Sequence, residues 1–88
     1  MSRYVREPGV LWRRSGDRLL LMPSRSSDVC VLEATGLALW DALAEPAALS
    51  EVAARLGALY AVPPEQVAAD LEPVLDDLER RHLVRRSA

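Results

Sequence analysis

Apolar periodicity changes once along this chain, near residue 33, and that change constrains the fold more than any other feature. Before it, apolar residues come in short runs bounded by turn chemistry; after it they recur every three or four positions. Val10-Leu11-Trp12-Arg13 and Arg18-Leu19-Leu20-Leu21-Met22 flank Arg14-Ser15-Gly16-Asp17. There the glycine supplies positive φ and the Ser and Asp side chains bond the backbone, so the segment predicts a β-hairpin. Pro23 to Asp28 reads as a polar, Ser-rich loop. Val29-Cys30-Val31-Leu32 reads as a third strand, with Val29 and Val31 on one face and Cys30 and Leu32 on the other. Both faces of these strands are apolar. One packs on the helices, and the other is covered by the loop, by the N-terminal tail or by a partner.

From residue 33 the pattern is helical. Thr35 or Glu33 suits the cap of a first helix running to about Leu43, with Leu39, Trp40 and Leu43 inward, and Glu45-Pro46 stops it. Ser50 suits the N-cap of a second helix, whose stripe is Val52, Leu56, Leu59 and Tyr60. Pro63-Pro64-Glu65 opens a third, because proline is welcome in a first turn and a carboxylate favours the positive helix end. Val67, Leu71, Val74 and Leu78 form its stripe. Pro73 lies inside and is expected to kink or split it, since it cannot donate to the carbonyl of Ala69. Arg80, Arg81 and His82 fall in the last turn, and Leu83-Val84 packs back on the core. The expected fold class is α+β: three short N-terminal antiparallel strands followed by three helices, a winged helix-turn-helix-like arrangement.

Eighty-eight residues make one domain, 1–88, with residues 1–8 and 85–88 expected as flexible ends. Half of the residues are apolar, too many for a disordered chain. A domain this small hides only about 60–65% of its unfolded surface, so its core is thin. Charge is segregated. Residues 1–32 hold six Arg against three acids, residues 33–79 one Arg against ten acids, and residues 80–88 four Arg and no acid.

These features exclude several functions. Catalysis by a Cys–His pair would need Cys30 and His82, and nothing local activates either one. One Cys and one His give no metal-ligand spacing, and the four glycines are scattered rather than grouped into a phosphate loop. The chain is therefore expected to be no enzyme, with no cofactor and no metal. It shows no secretory signal and no run approaching the ~20 apolar residues of a membrane span, so it is expected to be cytoplasmic, with no membrane partner. A single cysteine in an apolar context reads as a buried thiol. The alternative function is a winged-helix DNA-binding transcription regulator. Against it, residues 64–79 of the third helix carry six carboxylates and no base, which a polyanion repels. No nucleic-acid partner is expected.

Leu32-Glu33-Ala34-Thr35-Gly36-Leu37-Ala38-Leu39-Trp40 resembles the Leu-Asn-x-Thr-Gly-x-x-(Ile/Leu)-Trp segment of PqqD-like proteins, the recognition domains for ribosomally made, modified peptides. Leu49 to Tyr60 is similar to that family's second helix, and Val62 to Leu71 with Leu75–Leu78 and Leu83-Val84 to its closing helix. Glu33 stands where the family often has Asn, and Pro73 interrupts the closing helix. The resemblance covers about residues 9–84. It implies non-catalytic binding of the leader of a precursor peptide as an extra strand on the third strand, with leader side chains dropping between that strand and the third helix. The implied peptide-binding residues are Asp28, Val29, Cys30, Val31 and Leu32 on the strand, and Val67, Asp70, Leu71, Val74, Asp77 and Leu78 on the helix. The acids would steer a basic leader. The implied partners are the precursor peptide and a cognate enzyme, with a lasso-peptide leader protease and cyclase favoured and a radical-SAM enzyme possible. A monomer or weak dimer is expected.

Overall fold

The computed structural model describes residues 2–23 and 28–87, and the middle of the Ser-rich loop lies outside them. The hairpin forms as expected, from β2 (Leu11–Ser15) and β3 (Arg18–Met22). Ser15 pairs with Arg18, and Gly16 sits at φ +63 in the first position of the two-residue turn. β4 (Cys30–Glu33) adds antiparallel to β3, giving a sheet of order β2-β3-β4. Leu19, Leu21 and Leu32 from its inner face enter the core.

Six strands stand among the described residues, not three. β1 (Arg3–Arg6) lies between β5 (Ala47–Ala48) and β6 (Val84–Ser87), both antiparallel to it. Residues 3–6 and 85–87, within the segments expected as loose ends, are thus in paired strands. Arginine-rich tetrapeptides carry no alternation to read. What orders them is each other, across some eighty residues of chain.

The helices are α1 (Ala34–Ala42), α2 (Leu49–Tyr60) and α3 (Pro64–Arg80). Leu39, Trp40 and Leu43 are all buried, as their spacing predicts. Glu33 takes the N-cap position of α1, with no side-chain capping bond. In α2 the N-cap is Ala48 rather than Ser50, and the Ala48 N–H donates to Glu51 Oε1 at 2.9 Å. The first-turn carboxylate thus supplies the N3 half of a capping box, accepting from the cap residue's own N–H. Only Val52 and Leu56 of the expected α2 stripe are buried, with Ala53 added; Leu59 and Tyr60 are exposed. Pro73 neither ends nor splits α3, which runs unbroken to Arg80. Pro73 and Ala69 are both exposed, so the missing bond falls on the solvent side of the helix.

Both later helices end in a left-handed residue. Ala61 (φ +55) closes α2, with the Val62 N–H bonded to Gly57 O. His82 (φ +60) closes α3, where the Leu83 N–H bonds Leu78 O at 2.9 Å and the His82 N–H bonds Glu79 O at 3.1 Å. This is a Schellman end, with Leu78 and Leu83 buried at its foot. It turns the chain into β6, where Val84 is buried as well. No charged side chain among the described residues is buried, and no helix there is long and apolar enough to cross a membrane.

Two residues join the layers. Gly57 faces the α2–α3 turn so closely that a Cβ would lie 2.7 Å from Val62 O. The Arg6 guanidinium lies 4.8 Å from the Trp40 ring centre and 5.5 Å from that of Trp12, and its Nε donates to Trp40 O at 2.9 Å. Gly57→Ala is expected to destabilise by about 1–3 kcal/mol, although alanine gains up to ~1 kcal/mol in an open helix. Arg6→Met should cost about 1–3 kcal/mol through the lost charged hydrogen bond and ring contacts. Denaturant unfolding checks both. A Gly57→Ala variant at or above wild-type stability contradicts the close approach.

Candidate peptide-binding groove

β4 is an edge strand: among the described residues it pairs with β3 alone. The opposite edge, β2, carries Arg13 and Arg14, and Arg14 is tied to Asp41 at 2.8 Å. Charged edge residues discourage strand addition. β4 presents Cys30, Val31 and Leu32, and its one charged residue, Glu33, pairs with Arg18 at 3.3 Å. Of the two edges, β4 is the open one.

Alternation along β4 settles where each side chain goes. Leu32 is buried and Cys30 half-buried on the helix side, while Val29 and Val31 are exposed on the other. Beside Cys30 lies a cleft of about 210 Å³, lined by Pro23, Asp28, Cys30, Arg81, His82 and Leu83. The start of β4 therefore faces the C-terminal end of α3. Pro23, Arg81, His82 and Leu83 were not expected at the site. The sequence marks Arg81 and His82 as a helix end; tertiary packing sets that end against the strand, and the left-handed turn at His82 turns Leu83 back beside it.

Burial raises the pKa of the Cys30 thiol; the positive charge of Arg81 opposes this and the negative charge of Asp77 adds to it. The thiol therefore stays protonated at neutral pH, in keeping with a wall residue rather than a nucleophile. Arg81 Nε is held by Asp77 Oδ2 at 2.9 Å, so this end of the cleft carries a partly compensated pair of charges.

The α3 residues expected to line the groove divide in two. Val67, Leu71 and Leu78 are buried in the core, joined by Leu75. Val74 and Asp77 are half-buried and Asp70 is exposed, so these three have surface to offer a ligand. The solvent side of the helix adds Glu65, Glu72 and Asp76. Among the described residues no cluster of His, Cys, Asp or Glu is placed to hold a metal ion.

The solved structure "TbiB1 in Complex with the TbiA(beta) Leader Peptide" is similar in fold, with a TM-score of 0.83 over 96% of this chain and 98% of that chain, at 24% identity. No curated protein matches the sequence. Residues 18–84 match the family model for coenzyme PQQ synthesis protein D (PqqD). That match takes in β3, β4 and all three helices, and the chain belongs to the PqqD family.

Proposed function

We propose that this protein binds the leader segment of a ribosomally made precursor peptide as an added strand on β4 and delivers it to modifying or processing enzymes, without catalysis of its own. The observation that carries the reading is a strand edge with no further strand on it among the described residues, its one charge ion-paired, opening on a cleft at the end of α3 in a PqqD-family fold. The similarity to a structure holding a leader peptide supports it. Main-chain hydrogen bonds along β4 supply affinity, and the cleft beside Cys30 supplies side-chain discrimination. Asp70, Val74 and Asp77 are the α3 residues that reach the peptide, while Val67, Leu71 and Leu78 hold the wall in place. The favoured enzyme partners are a lasso-peptide leader protease and cyclase, and a radical-SAM enzyme is the second candidate. The acidic face of α3 opposes the DNA-binding alternative, because it would meet phosphates with carboxylates.

Titration with synthetic leaders, taken from the short reading frames beside the gene, tests the reading. Expected affinities are nanomolar to micromolar, about −8 to −12 kcal/mol, with the peptide recovered intact. Cleavage or modification by the purified protein alone contradicts it. Of the adjacent Cys30 and Val31, one N–H faces β3 and the other the open edge. Proline at the first should lower Tm. Proline at the second should keep Tm and weaken binding by about tenfold or more, the worth of one ladder bond. Equal binding by the variant that keeps its Tm would remove the strand-addition geometry.

Asp70→Arg is the cleaner charge test, since reversing Asp77 also breaks its pair with Arg81. It should slow association of a basic leader, more at low salt, and leave the unfolding free energy within about 0.5 kcal/mol of wild type. Bound leader should also slow alkylation of Cys30, which in the free protein accelerates only above the ordinary thiol range because burial raises its pKa.

A further inference from the structure

Strand register sorts the outer face of the β2-β3-β4 sheet into cross-strand rows. Leu11 pairs with Met22; Arg13 pairs with Leu20, and Leu20 with Val31; Ser15 pairs with Arg18, and Arg18 with Glu33. Val29, two residues before Val31, falls on the same face. Leu11, Met22, Val29 and Val31 are 69%, 37%, 51% and 47% exposed. They form an aliphatic plateau, bounded at one end by the Arg18–Glu33 ion pair, with Arg13 the charged residue among them. An antiparallel sheet with one face in water ordinarily turns polar residues outward. This one does so only at Arg13 and along the Ser15–Arg18–Glu33 row; the rest, up to the two valines at its open edge, is apolar.

The next step rests on the peptide-binding reading above. A strand added to β4 sends alternate side chains to opposite faces. One set enters the cleft beside Cys30 and Leu32. The other lands on the plateau next to Val29 and Val31, close enough for cross-strand packing. A polar residue there leaves both valines wet, and an aliphatic or aromatic one covers their open flanks. We propose that Val29 and Val31 select the outward-facing side chains of the bound peptide, so that the recognised segment is apolar at consecutive positions rather than at every second one. A second copy of this chain fits the plateau less well. Stacking face to face brings two Arg13 side chains together, and the one acid on the face, Glu33, is already paired.

The probe is a display library of random ten-residue peptides, selected on the full chain and on a Val29→Thr/Val31→Thr variant. Threonine keeps the branched shape and strand preference at these exposed sites. Peptides enriched by the wild type should carry apolar residues at adjacent positions and bind the variant about five- to twentyfold more weakly, at unchanged Tm. Those enriched by the variant should stay apolar at the inward positions and lose the preference at the outward ones. Wild-type binders with unconstrained outward positions, or equal affinity for both proteins, overturn the proposal while leaving leader binding intact. Self-association that the variant abolishes without any change in peptide choice overturns it in favour of a second copy. No enrichment by the wild type removes the peptide-binding reading, and this inference with it. Val31→Ala, read in the same way, serves if the double variant melts early.

Discussion

The Arg6 guanidinium, lying against the rings of Trp12 and Trp40, is where the two sheets and the first helix meet. Arg6 belongs to β1, Trp12 to β2 and Trp40 to α1, so one side chain ties its own strand to two other elements. Its backbone N–H bonds Leu43 O, just past α1, and its Nε bonds Trp40 O. Burial lowers the pKa of this guanidinium, Asp41 at 3.7 Å opposes that, and Arg14 adds to it. A domain with a thin core gains from such a joint, because a cation over an aromatic face binds tightly where water is scarce. Trp40 is the largest fully buried side chain, and its Nε1 has no hydrogen-bond partner among the described residues. Its ring face, not its polar edge, is what the protein uses.

With the layers joined there, the functional consequences follow from the edges. A three-stranded sheet has two, and this one treats them differently. β2 carries Arg13 and Arg14, the second tied to Asp41, whereas β4, its one charge ion-paired, is left beside the end of α3. The cleft at that end exists because α3 stops in a left-handed turn at His82 and the chain leaves into β6. β1 then holds β6 by four paired residues. Pairing of the two chain ends therefore positions one wall of the groove. The other wall is set by the β3–β4 register.

Much of this was legible in advance. The Gly16-Asp17 turn, the two faces of β4, the inward trio Leu39, Trp40 and Leu43, and the proline start of α3 all follow from residue type and spacing. Local chemistry suffices for them, because each depends on neighbours within four or five positions. The second sheet was not legible, since β1, β5 and β6 are short, poor in apolar alternation and paired across most of the chain. Nor was the role of Glu51 at the start of α2, where an alanine occupies the cap and Ser50 looked the better candidate.

What the sequence determined by itself is the class of protein: a hairpin and a third strand ahead of the helices, and an acidic third helix. Periodicity and charge are properties of the chain order, and they survive without knowing what packs on what. Tertiary structure decided which apolar residues are core and which are surface. Val67, Leu71 and Leu78 share one stripe with Val74, yet only Val74 keeps surface to offer, because helical spacing does not say how far a neighbouring element covers the stripe. It also decided that Arg81 and His82 stand beside Cys30. The packing of the α3 end against the start of β4 brings them there, and no spacing rule in the sequence contains it.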